Sequence, residues 1–206
     1  MAKTVVGLFD TFDEARNAMQ DLVENGFQAG DISLLTNDAS GEQAAYLKKD
    51  QDRLPEETAG LGALAGTIFG GVGGIMVGIG ALTIPGIGPV VAAGSFLSIL
   101  GTTALGAGVG AAAGGLIGAL VGQGIPEEDA NFYAEGVRRG GTLVAVSTND
   151  DQFSRAQEIL NQHNAVNIDE RAGEWRKAGW TKFDPDADPY SAEEVQRMRR
   201  TAYTRD

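Results

Sequence analysis

Charged and apolar positions divide the chain into two polar arms around a long uncharged middle. From Thr58 to Pro126, 69 consecutive residues contain no Asp, Glu, Lys, Arg or His, and this block holds 21 of the 30 glycines. Both arms alternate short apolar runs with helical patterns, which favours an α+β fold. The predicted parts are the first half of an α+β domain with a linker (1–57), an apolar helical hairpin (58–125), the second half of the domain (126–171) and a polar, aromatic tail (172–206).

Each arm shows the pattern strand, helix, strand. In the first arm, strands are predicted at 4–9 and 31–36, with a helix between them that begins near Asp10 and ends at Asn25 and Gly26. In the second arm, the predicted elements are a helix at 126–139, a strand at 142–147, a helix after Asn149 and a closing strand at 166–169. Together the arms have the element order of a split ferredoxin-like βαβ…αβαβ domain, interrupted in its middle. The alternative is two separate small lobes.

Glycines at helical spacing form two rows in the uncharged block. The first row is Gly62, Gly66, Gly70, Gly74 and Gly78, and the second is Gly106, Gly110, Gly114, Gly118 and Gly122. Positions four apart share one face of a helix, so each row predicts a groove without side chains. Such a groove lets a second helix approach closely, and these ten glycines are the predicted helix-packing interface.

The number of glycines decides what such a helix would need. The nine glycines between Gly60 and Gly80 would disfavour a helix in water by about 7–9 kcal/mol. A bilayer or close backbone packing must compensate. Residues 60–82 would span about 34 Å as a helix, against roughly 30 Å of hydrocarbon.

The rest of the predicted hairpin consists of a break at 83–89, a short interfacial or re-entrant helix at 90–100 and a second crossing at about 102–123. An even number of crossings would return the chain to its starting side, so that the two arms can join. The alternative is a soluble ring, cage or filament whose core the hairpins form.

The negative net charge and the scarcity of reactive side chains argue against several classes of function. The formal net charge of −12 argues against a nucleic-acid partner, which needs a basic face. With no cysteine and His163 as the single histidine, neither a thiolate nucleophile nor a zinc cluster is expected. Asp184, Asp186 and Asp188 resemble the start of a calcium loop, but Pro189 follows where glycine is needed, which favours a solvated acidic face or a turn. We therefore expect no enzyme activity, no cofactor and no metal.

The tail carries aromatic residues that a free polar tail would usually lack. Trp175, Trp180, Phe183 and Tyr190 lie among charges and prolines. We expect this segment to pack on its own domain or on a neighbouring subunit, and the alternative is a solvated tail. Ser191-Ala-Glu-Glu is a capping box that predicts a short helix to about Arg200.

Three stretches carry a family resemblance. They are TVVGLFDTFDEARNAMQDLVENGFQAGDISLLT, IPGIGPVVAAG and GIPEEDANFYAEGVRRGGTLVAVST. These resemble the bacterial general-stress-protein 17M-like family of low-temperature- and heat-induced proteins, over about residues 4–170. The resemblance implies a bacterial stress-response protein with a glycine-rich, membrane-like insertion, and it brings no functional residues to transfer.

The expected function is therefore non-enzymatic. We expect a homo-oligomer that associates with a lipid bilayer, located at the bacterial inner membrane with its soluble domain on the cytoplasmic side. A cytoplasmic assembly is the alternative location.

Overall fold

The structure, a computed structural model, describes residues 3–45, 79–96, 100 and 110–203. The elements in chain order are β1 (Lys3–Phe9), α1 (Phe12–Glu24), a 3-10 turn (Ala29–Asp31), β2 (Ile32–Asn37), β3 (Ile79–Ile84), β4 (Gly88–Ala93), α2 (Gly110–Gly122), α3 (Glu127–Arg138), β5 (Thr142–Thr148), α4 (Asp150–Gln162), α5 (Ile168–Lys177) and α6 (Ala192–Tyr203). The strands form one antiparallel sheet in the order β1-β5-β2-β4-β3. The predicted α+β class is confirmed.

Helices cover both faces of this sheet. In β5, Val144 and Val146 belong to the core cluster beneath α1 and α4, whereas Leu143 and Ala145 belong to the cluster beneath α2 and α3. Successive side chains of a strand point to opposite faces, so one strand contributes to both cores. Every residue of β2 is buried for the same reason. The sheet is thus the middle of three layers.

Local signals in the sequence set the ends of α1. The Glu14 N–H donates to Thr11 Oγ1 (3.2 Å), and the Thr11 N–H donates to Glu14 Oε2 (3.1 Å), which completes a capping box. At the other end, Gly26 adopts a φ of +91°, and the Phe27 N–H donates to the Leu22 carbonyl (3.0 Å). The predicted helix in the first arm is confirmed.

A β-hairpin replaces part of the predicted helical hairpin. Residues 79–84 form β3 instead of the end of the predicted helix at 60–82. Residues 88–93 form β4 instead of the start of the predicted short helix at 90–100. Both helix predictions are wrong over these residues. Pro85 and Gly86 form the turn, in which Gly86 has a φ of +74° and the Ile87 N–H donates to the Ile84 carbonyl (3.1 Å). Proline followed by glycine in the left-handed region suits the two central positions of a type II turn. The hairpin then extends the sheet beyond β2 through pairs such as Leu34 with Ala93.

The predicted closing strand at 166–169 is wrong. The Val166 N–H donates to the Leu8 carbonyl at the outer edge of β1 (2.8 Å). The chain then turns into α5, because Asn167 Oδ1 accepts from the backbone N–H groups of Asp169 (3.0 Å) and Glu170 (3.3 Å). An N-cap of this kind starts a helix instead of continuing a strand.

The aromatic tail packs on its own domain. Trp175 stacks on Phe132 of α3 with the ring centroids 4.8 Å apart, and Trp180 meets Trp175 edge to face at 5.7 Å. A methyl group added at Gly86 would lie 2.7 Å from the Asp184 carbonyl oxygen, so the tail lies directly on the β3–β4 turn. The prediction that the tail packs on its own domain is confirmed.

The C-terminal helix is tied to the ends of two other elements. Ser191 and Glu194 form the predicted capping box, with 2.7 Å between Ser191 Oγ and Glu194 Oε2. From α6, Arg199 Nε donates to the Gly140 carbonyl (2.7 Å) and Arg199 Nη2 donates to the Asn37 carbonyl (3.1 Å). These contacts join α6 to the C-terminal ends of α3 and β2.

Candidate association surface

The structure places four of the ten predicted interface glycines. Gly110, Gly114, Gly118 and Gly122 lie in α2. The other six, which are Gly62, Gly66, Gly70, Gly74, Gly78 and Gly106, lie outside the described residues. The surface that the structure supports is therefore built from α2 and from the strand beside it.

Helix α2 has one buried and one exposed side. Leu116 and Leu120 are buried in the core between α2, α3 and the sheet. Gly118 and Gly122 are exposed, and no atom of the described residues lies within 4 Å of the position that a Cβ would take at either of them. Val121, which lies between them, is 43% exposed. Among the described residues, it is the one large hydrophobic side chain that is exposed to solvent. The outward face of α2 is therefore apolar and almost without side chains.

The described part of the predicted second crossing belongs to the folded domain. The helical backbone of α2 is interrupted at Gly115, which has a φ of 0° and a ψ of −113°. The buried leucines of α2 pack against the chain's own sheet and α3. Within the described ranges, no helix combines the length and the apolar character that a membrane span requires.

Strand β3 lies beside α2 at the edge of the sheet. A Cβ at Gly115 would lie 3.6 Å from Ile84 Cγ2, which is ordinary van der Waals contact. β3 pairs with β4 on one side, and no described strand pairs with its other side. Edge strands usually carry charges or proline against unwanted pairing, and IGALTI has neither. We call this edge, together with Gly118, Val121 and Gly122, the association surface.

The remaining polar candidates have structural contacts. His163 Nε2 lies 3.0 Å from Asp21 Oδ2, a contact that joins the end of α4 to α1. Asp184 Oδ1 accepts from the Asp186 N–H (3.0 Å), so the predicted turn in the acidic tail is confirmed. In the part of the chain that the structure describes, no group of three His, Asp or Glu side chains is placed to hold a metal ion.

Two groups with shifted pKa values lie beside β1, away from the association surface. Burial raises the pKa of Tyr133, with a smaller contribution from Asp129, and the Tyr133 hydroxyl donates to the Val6 carbonyl (3.3 Å). Burial also raises the pKa of Asp129, followed by repulsion from Glu128 and Asp169. The charged form of Asp129 is therefore disfavoured in the folded state.

Asp129→Asn is expected to stabilise the protein at neutral pH. The folded pKa lies above the unfolded one, so the contribution of Asp129 to stability is present at low pH and is lost as pH rises through the folded pKa. Because Asp129 is partly exposed, the gain at pH 7 should be only a few tenths of a kcal/mol. Urea unfolding at about pH 7 and about pH 3 tests this, with Asp151→Asn as the control in the first turn of α4. A gain of equal size at both pH values would contradict it.

Comparisons with protein-family models, with curated proteins and with solved structures find no match for this chain. The family resemblance therefore remains a prediction.

Proposed function

We propose that this chain is a non-enzymatic bacterial stress-response protein that associates with membranes and with copies of itself through glycine-faced helices. The proposal includes a split ferredoxin-like domain that the uncharged, glycine-rich block interrupts. It places this domain on the cytoplasmic side of the inner membrane. The observation that carries the proposal is the exposed face of α2, where Val121 lies open between Gly118 and Gly122.

The chemistry of this face suits close packing against another helix. Glycines leave the backbone accessible, so a second helix can form Cα–H···O contacts in addition to van der Waals contacts. Leu116 and Leu120 fix the opposite side of α2 in the core, which holds the exposed face in one orientation. The 69-residue uncharged block that includes α2 carries further glycines at the same spacing in its sequence.

A soluble self-assembly is the second candidate function. It is favoured by the packing of α2 on the chain's own sheet, which uses apolar side chains that a membrane-spanning helix would present to lipid. The open edge of β3 could then pair with the same edge of a second copy. This candidate needs no lipid.

A leucine at an open glycine tests the association surface without disturbing the core. We expect that Gly118→Leu does not lower the unfolding midpoint, because the space at this position is empty of described atoms and leucine favours a helix more than glycine does. We also expect it to reduce both vesicle flotation and the particle mass measured by light scattering. Gly173→Leu in α5 is the matched control, since its Cβ position is equally open. Gly114→Leu and Gly70→Leu extend the test to both rows.

The outcomes separate the two candidates. Flotation with phosphatidylcholine vesicles that Gly118→Leu abolishes would support membrane association. Large particles without lipid, reduced only by Gly118→Leu, would support the soluble assembly. A wild-type chain that is monomeric and does not float would contradict both.

A further inference from the structure

A cavity of about 500 Å³ opens between the C-terminal end of α3 and helices α5 and α6. Five of the chain's 16 basic residues line it: Arg139, Arg171, Lys177, Arg197 and Arg199. The acidic residues in the lining are Asp10 and Glu174. A chain of net charge −12 thus concentrates positive charge in one cavity.

Protein contacts hold the three inner guanidinium groups in place. Arg171 donates to both carboxylate oxygens of Asp10, at 2.9 and 2.8 Å. Arg139 Nε donates to Glu135 Oε1 (2.6 Å), and Arg199 is fixed by the carbonyl contacts described above. Paired arginines of this kind are preorganised, because little side-chain entropy remains to be lost when a ligand binds.

The other two basic residues of the lining lie at the rim of the cavity, where an entering ligand would contact them first. Lys177 at the end of α5 and Arg197 on α6 are exposed at the cavity. Within the part of the chain that the structure describes, neither side chain forms a hydrogen bond or an ion pair. The hydrogen bonds from Ser191 lower the pKa of Glu194, and the charge of Arg197 adds a smaller contribution. Among the described residues, neither side chain has a hydrogen bond or ion pair that turning toward an anion would break.

The aromatic residue in the lining is already engaged. Trp175 stacks on Phe132 and carries the Arg139 guanidinium over its ring, 4.6 Å from the centroid. It therefore positions Arg139 and is poorly placed to stack on a nucleobase. Leu8, Ala178 and Met198 add an apolar part to the lining. Recognition in this cavity must come from charge and from guanidinium geometry.

We propose that this cavity binds a phosphate group, which Lys177 and Arg197 contact at the rim above the positioned guanidinium groups. A guanidinium group matches phosphate oxygens in geometry as well as charge, and the excess of five bases over two carboxylates in the lining favours an anion that carries more than one charge. The group can come from a soluble phosphorylated molecule or from the headgroup of an anionic lipid. Because the chain as a whole repels anions, the affinity depends on this local cluster.

The test compares two double variants of the full chain that change the net charge equally. Lys177→Gln with Arg197→Gln removes the rim bases. Lys182→Gln with Arg200→Gln is the control, since neither residue lines the cavity. Pyrophosphate is titrated by calorimetry, and flotation is compared between phosphatidylcholine vesicles with and without phosphatidic acid. We expect the cavity variant to bind at least about tenfold more weakly than the control variant.

The two probes identify the source of the phosphate. Pyrophosphate binding that is lost only in the cavity variant would support a soluble ligand. Extra flotation with phosphatidic acid, lost only in the cavity variant, would support a lipid headgroup. No response of the wild-type chain to either probe, or equal weakening in both double variants, would overturn the proposal. Gly118→Leu should leave the calorimetric result unchanged, which separates this site from the association surface.

Discussion

Gly94→Ala is expected to destabilise the protein by about 2–4 kcal/mol. Gly94 follows β4 with a φ of +69°, a region that side chains rarely occupy. An alanine methyl group there would lie 2.5 Å from the Ile32 carbonyl oxygen and 2.9 Å from Ser33 Oγ. The Ile32 oxygen belongs to the backbone of a paired strand, so it cannot move aside without disturbing the β2 ladder. Urea unfolding followed by circular dichroism gives the free-energy difference.

Gly26→Ala is the matched control for this prediction. Gly26 also has a positive φ, of +91°, but no described atom lies within 4 Å of its Cβ position. Its substitution should cost about 1–2 kcal/mol from backbone conformation alone. The excess loss in Gly94→Ala then measures the close approach of the two strands. Equal losses in both variants would contradict that approach.

Most elements of the two arms could be predicted because their signals are local. The Thr11–Glu14 capping box, the Asn25-Gly26 stop and the acidic first turn of α3 each lie within a few residues of the helix end that they set. β1 and β5 were recognisable as short runs rich in β-branched and apolar residues. The strand pairing did not have to be known for any of these predictions.

The elements that were missed depend on contacts that are distant in sequence. Within the uncharged block, Pro85-Gly86 predicts a break between helices, although the same dipeptide suits a hairpin turn. What makes these segments strands is the pairing of β4 onto β2, such as Ala93 with Leu34, and the pairing of β3 onto β4. Helical glycine spacing gives no sign of either pairing. The start of α5 is the exception, because its signal is local: residues 166–169 predict a closing strand, whereas the cap at Asn167 sets a helix.

The candidate sites were predictable only in part. Helical spacing correctly placed Gly118 and Gly122 together in α2. It could not show that Leu120 is buried and Val121 exposed, because that depends on how α2 lies on the sheet. The basic cavity has no local signal, since its arginines come from the C-terminal end of α3, from α5 and from α6, which only the fold brings together.

Glu135→Gln is the second substitution with a large expected effect, about 3 kcal/mol of destabilisation. The Glu135 side chain is 1% exposed and faces two cations: Arg139 Nε lies 2.6 Å from Oε1 and Arg138 Nη1 lies 3.6 Å from Oε2. Arg138 also packs on Tyr190 in the tail, with its guanidinium carbon 4.4 Å from the ring centroid, and Arg139 packs on Trp175. A neutral glutamine side chain would leave two partly buried guanidinium groups without their anion. Its NH₂ group would also face the N–H donors of a guanidinium group.

Glu128→Gln tests whether the loss of stability in Glu135→Gln comes from the burial of the Glu135 carboxylate. It removes the same charge from the same helix, but the ion pair of Glu128 with Arg176 is exposed, so the loss should be at most about 1 kcal/mol. In Glu135→Gln, tryptophan fluorescence should change at lower urea concentration than circular dichroism does, because Arg138 and Arg139 connect α3 to the aromatic tail. If both variants lose the same small amount, or if the two signals of Glu135→Gln change together, then the buried carboxylate does not hold the tail in place.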